Sequence, residues 1–105
     1  MSEINQFIYI IRPTRLKMLT DGPTEQEQQV VARHFEHLSA LAQEGTVFMA
    51  GRTQTSDERT FGIVILNSDS LEEAQILMES DPAVKEGVMS AELYPYRIAV
   101  MGTTD

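Results

Sequence analysis

Residues 24–45 read TEQEQQVVARHFEHLSALAQEG, with apolar residues at Val31, Phe35, Leu38, Leu41 and Ala42. Counted from Val31, these fall four, seven, ten and eleven positions on, which is one face of a helix. Thr24-x-x-Glu27 is a capping-box pattern, and Glu25 and Glu27 suit the positive end of a helix dipole. Gly45 is a natural stop, since it adopts the left-handed conformation of a C-cap. His34 lies inside the stripe, one turn from Val31 and one turn from Leu38, so it is expected to face a sheet. An imidazole there is either a core residue bonded to a backbone carbonyl or a poised acid or base.

On either side of this helix the pattern changes to strands. QFIYIIR (6–12) is aromatic and β-branched, and its apolar residues load both faces. Pro13 ends it, having no donor for a ladder. PTRLKMLTDGP (13–23) reads as a long loop. TVFMAG (46–51) reads as a second strand, TQTSDER (53–59) as a hairpin turn and TFGIVIL (60–66) as a third strand. In that third strand Phe61, Ile63 and Ile65 share one face, and Gly62, Val64 and Leu66 the other. Ser70-x-x-Glu73 is a second capping box, opening a helix over 71–79 with Leu71, Ala74, Leu77 and Met78 inward. Residues 88–100 carry a last strand, which Pro95 confines to an edge or a bend.

The order β-α-β-β-α-β is that of an α+β, ferredoxin-like fold: one antiparallel sheet with two helices on one face, in a single domain over residues 1–105. Two helices cover only one face, yet the first and third strands are apolar on both. A symmetric homodimer, packed sheet to sheet, is the economical way to cover the other.

Composition narrows the partners. The net charge is -8, from 8 basic and 16 acidic residues, which argues against nucleic acid and against an anionic membrane surface. There is no cysteine, so thiolate chemistry, disulfides and thiolate metal sites are excluded. MSEINQFIYIIRP has no basic segment before its short apolar run, so a cytoplasmic location is expected. No nucleotide-binding or nucleophile-elbow motif is present, and no cofactor is expected.

The chemistry-bearing residues are few. His34 can accept and donate protons at working pH. His37, three residues on, lacks the four-residue spacing of a helical metal pair. Asp81 precedes Pro82, with Gly87 closing the segment, the pattern of a capped turn of helix. Its carboxylate is either the cap alone or also the partner of a histidine. Arg12, Arg15 and Lys17 form a local basic cluster, either solvated or a lure for an anionic ligand. Arg52, after Gly51, is either a surface ion-pair former or a bidentate clamp for a carboxylate or phosphate. Tyr9, Tyr94 and Tyr96 read most simply as sheet residues, one of which could lend a phenol to a pocket.

In order, the strand ending in Arg12-Pro13, the helix with a His eleven residues before its Gly, AGRT (50–53), FGIVIL (61–66), SDPAVKEGV (80–88) and AELYPYRIAV (91–100) resemble the YCII-related proteins over nearly the whole chain. The resemblance implies a dimeric α+β barrel, similar to that of muconolactone isomerases, and an active site holding a His–Asp pair. The family histidine falls on His34 and the aspartate of the Asp-Pro motif on Asp81. Many members have Gly-Pro after the second strand; here Gly51-Arg52 stands there, as in one subgroup. A few relatives look like lyases or dehalogenating enzymes of small ring compounds. The expectation is a cofactor-independent lyase or isomerase acting on a small anionic organic molecule, with His34 and Asp81 moving protons and Arg12 or Arg52 holding the anion. The alternative is a dimeric module that binds a small ligand without converting it.

Overall fold

The chain runs β1 (Gln6–Pro13), α1 (Lys17–Thr20), α2 (Glu25–Gln43), β2 (Val47–Arg52), β3 (Gly62–Asn67), α3 (Leu71–Ser80), α4 (Pro82–Lys85) and β4 (Met89–Tyr96). The structure, a computed structural model, describes residues 5–103. Four strands form one antiparallel sheet in the order β2-β3-β1-β4. The two strands that are apolar on both faces, β1 and β3, lie at its centre, where such strands belong. β4, with Pro95, lies at an edge. The fold is the ferredoxin-like α+β arrangement expected from the order of elements.

Register decides which side chains meet the helices. Phe7, Tyr9 and Ile11 of β1 pair with Leu66, Val64 and Gly62 of β3. Their shared face packs against Leu38 of α2 and Ala74 and Met78 of α3, forming the core. Gly62 sits in close packing: a Cβ there would lie 3.0 Å from Ile11 Cγ1 and 3.1 Å from the Gly51 carbonyl. The alternate residues, Ile8, Ile10, Ile63 and Ile65, lie on the opposite face with Tyr94, which pairs with Ile8. No helix among those described packs on that side of the sheet.

Helix α2 begins as its sequence dictates. The Thr24 hydroxyl accepts from the Glu27 amide at 3.1 Å, and the Glu27 carboxylate accepts from the Thr24 amide at 2.8 Å. Gly45 follows its end with φ of +84°. The buried face differs from the expected stripe: Val30, His34 and Leu38 are buried, whereas Phe35 is 59% exposed. Successive residues turn by about 100°, and the inward direction passes through His34, so Phe35 is carried to the flank. Burial of Val30 and Leu38 stabilises by about 1.5–3 kcal/mol each.

Three further expectations need correction. The 13–23 segment is not all loop, because Lys17–Thr20 forms α1 with Met18 buried beneath it. The Ser70 hydroxyl caps α3 through the Glu73 amide at 3.1 Å, but without the reciprocal bond of a full box. Leu71 of α3 is largely exposed, since side chains lean toward a helix N-terminus and a first-turn residue overhangs the end.

Candidate active site

Three elements converge behind His34. From α2 its Nδ1 lies 2.6 Å from Asp81 Oδ1. Asp81 stands at the junction of α3 and α4 because Asp-Pro starts a helix: its Oδ1 also accepts from the Ala83 amide at 3.0 Å, Pro82 takes the first helical position, and Gly87 follows with φ of +76°. From β1 the Tyr9 hydroxyl donates to Asp81 Oδ2 at 2.6 Å. The cap and the histidine therefore share one carboxylate oxygen, and the phenol takes the other. All three side chains are inside the protein, with residue exposures of 0% for Asp81, 1% for Tyr9 and 4% for His34.

The electrostatics follow from that geometry. Burial alone would raise the Asp81 carboxyl. The hydrogen bonds from His34 and Tyr9, the attraction of His34 and the Ala83 amide outweigh it and hold the group below the usual carboxylate range. Tyr9 moves the other way: burial, and then the negative charge of Asp81 beside it, push its phenol up. An ionised Asp81 accepts only, so the hydroxyl and the Nδ1–H are the donors. That fixes the neutral His34 tautomer with its lone pair on Nε2.

The His34 ring, and not Asp81, reaches open space. It lines a cavity of about 290 Å³ between α2, β2 and β3. The other walls are largely apolar, with Phe35 and Leu38 from the helix, Val47 and Val64 from the sheet, and Arg52 at the rim. A smaller hollow of about 130 Å³ opens on the α1 side, where Met18, Leu19 and the buried Thr60 line it. Ile11, His34, Phe35 and Arg52 belong to both. The exposure of Phe35 thus has a position to explain it: the ring stands on the wall between the two hollows, edge-on to His34 with centroids 5.4 Å apart.

The arginines separate. Arg52 Nε and Nη2 donate to the carbonyls of Thr53 and Thr55 at 3.0 Å each, which tethers the guanidinium beside both hollows. It forms no ion pair with a carboxylate among the described residues. Arg12 is not brought to this site. Strand alternation sets it with Ile8 and Ile10 on the opposite face, where it pairs with Glu92 at 3.0 Å and lies over Phe61. The basic cluster expected around Arg12, Arg15 and Lys17 is dispersed as well, because Arg15 is spent on Glu27 through bonds of 2.9 and 2.6 Å. His37 is half-buried, and its Nε2 is enclosed without a hydrogen-bond partner among the described residues.

Tyr9 is the residue that sequence reasoning undervalued. The signal was present: a phenol on the inner face of a central strand needs a polar partner.

The profile of the YCII-related domain matches residues 7–97. No curated protein sequence matches the chain. Among solved structures it is similar to 5-chloro-2-hydroxyhydroquinone dehydrochlorinase (TftG) from Burkholderia phenoliruptrix AC1100, in complex with 2,5-dihydroxybenzoquinone. The two are 20% identical, with a TM-score of 0.61 over 87% of this chain and 93% of that one. At that identity the likeness is one of fold. The family match takes in every strand of the sheet and both His34 and Asp81, and the chain belongs to the YCII-related domain family.

Proposed function

We propose that the cavity beside His34 is the active site of a cofactor-independent enzyme, of lyase or isomerase type, that moves a proton on a small anionic organic molecule. The observation that carries this reading is the asymmetry of His34: Nδ1 is committed to a buried carboxylate while the same ring lines the cavity. Nε2 takes a proton from the substrate, and the electron pair remains on the substrate. Asp81 stabilises the imidazolium so formed. Arg52, at the rim, holds the anionic group and offsets charge that develops on it. Returning the proton to another atom gives isomerisation; departure of a leaving group gives elimination. General acid–base assistance of this kind contributes roughly 10²–10⁴-fold.

The apolar walls favour a flat ring, and the dehydrochlorinase of like fold is named for a chlorinated hydroxyhydroquinone. A panel of hydroxylated and chlorinated rings, including 5-chloro-2-hydroxyhydroquinone and 2,5-dihydroxybenzoquinone, tests the reading. The expected result is turnover of at least one member, with Arg52→Ala weakening anionic rings and sparing neutral ones. A ring bound tightly by the wild type but always recovered unchanged would instead establish a binding module.

A symmetric homodimer, in a cytoplasmic setting, belongs to the same reading. Its support is the helix-free sheet face carrying Ile8, Ile10, Ile63, Ile65 and the exposed Tyr94. No helix among the described residues is long and apolar enough to cross a membrane.

A further inference from the structure

We propose that Tyr9 is the positioning residue of this site: its hydroxyl holds Asp81 oriented behind His34, and in its anionic form. The inference rests on the reading of His34 as the proton-transfer group and adds the residue on which that group's partner depends.

A carboxylate has two oxygens and about four acceptor positions. Among the described residues, Oδ1 of Asp81 takes two donors, the His34 ring and the Ala83 amide, whereas Oδ2 takes only the Tyr9 hydroxyl. Asp81 has no exposure to water. Without the phenol, Oδ2 would be an enclosed anionic oxygen with no donor among the described residues. The simplest relief is a proton on Oδ2, which makes Asp81 a neutral acid. A neutral Asp81 cannot stabilise an imidazolium, and its acid group can rotate away from His34.

Three donors from three elements also fix the plane of the carboxyl group. The α4 amide and the α2 imidazole approach one oxygen; the β1 phenol approaches the other from the sheet. Removing the phenol leaves rotation about the Cβ–Cγ bond opposed on one side only. His34 and Tyr9 are the titratable side chains acting on Asp81, and Asp81 is the charged group acting on Tyr9. Neither cavity bordered by His34 includes Tyr9 in its lining. Tyr9 therefore does not touch a substrate, and it acts through Asp81.

The test is carboxyl and imidazole NMR on the full chain without ligand, comparing wild type with Tyr9→Phe. The expected result is a rise in the Asp81 carboxyl midpoint of about one pH unit, tenfold in proton affinity, with loss of the single His34 tautomer. Incorporation of 3-fluorotyrosine gives a second measurement that preserves the side chain's shape. Its more acidic phenol is a stronger donor and should move the midpoint down. It decides the matter if Tyr9→Phe does not fold. An Asp81 midpoint unmoved by the fluorinated phenol, and an Asp81 midpoint and His34 tautomer unmoved by Tyr9→Phe where it folds, overturn the proposal. On a ring that the enzyme converts, Tyr9→Phe should lower kcat about tenfold or more and leave KM within twofold. If the midpoints move as expected but the wild type converts no ring, the positioning role stands and the proton-transfer reading falls.

Discussion

Replacing Asp81 by alanine removes the acceptor on which three buried donors depend. The Tyr9 hydroxyl at 2.6 Å, His34 Nδ1 at 2.6 Å and the Ala83 amide at 3.0 Å all end on this one carboxylate. A buried donor left unpaired costs about 1–3 kcal/mol, and losing an N-cap costs about 1 kcal/mol. The costs do not simply add. His34 can switch tautomer, and a water can enter the space left by the carboxyl group. The expected loss is therefore about 3–5 kcal/mol, the range for breaking one side of a buried pair. Against a stability of about 5–15 kcal/mol for an ordinary domain, that is a large fraction. Urea unfolding followed by circular dichroism reads it directly. With a slope of about 2 kcal/mol per molar, the midpoint should fall by roughly 2 M. Tyr9→Phe alone should cost about 1.5–3 kcal/mol, the value of a bond to a charged group, and should cost almost nothing once Asp81 is absent. An Asp81→Ala loss below about 1 kcal/mol, or full additivity with Tyr9→Phe, would refute the reasoning.

Acid should weaken two carboxylate contacts. The hydrogen bond from Arg15, and then that from the Thr24 amide, lower Glu27 from 4.5 to about 2; its contribution is complete above the unfolded value and fades as pH falls toward 2. Asp81 is also lowered on folding, so its share follows the same sign, and Asp81→Asn should flatten the acid limb of stability. Arg15→Ala should speed amide exchange in residues 14–22, which a loop held by other contacts would not show. Gly62→Ala should destabilise by about 1–3 kcal/mol through overpacking against Ile11 and the Gly51 carbonyl, read by thermal unfolding; an unchanged Tm contradicts the close approach. On the helix-free sheet face, Ile10→Lys should halve the mass measured by light scattering, and an unaltered mass counts against pairing through that face.

Much of this architecture is legible in the chain. Capping at Thr24 and Asp81 and the stop at Gly45 are local signals, satisfied within a few residues, and the structure shows each of them. The strands at 6–13 and 62–67 declare themselves by apolar residues on both faces. The orientation of α2 was less legible, because a histidine at the centre of the buried stripe reads as polar and shifts the apparent centre toward Phe35. Tyr9 could not be assigned a partner, since its hydrogen bond to Asp81 spans 72 residues of sequence. Arg12 looked like a companion of the site in one dimension. Strand alternation places it across the sheet, whereas the register of β2, which sets Arg52 opposite Gly62, brings Arg52 to the cavity.

The central claim is that His34 moves the proton. Substrate turnover and deuterium incorporation from D2O, measured on a ring the wild type converts, compare the wild type with His34→Gln. The account predicts a fall of at least about 100-fold in both, with the fold and the affinity for the ring retained. Turnover and deuterium incorporation by His34→Gln within a few-fold of the wild type would contradict it.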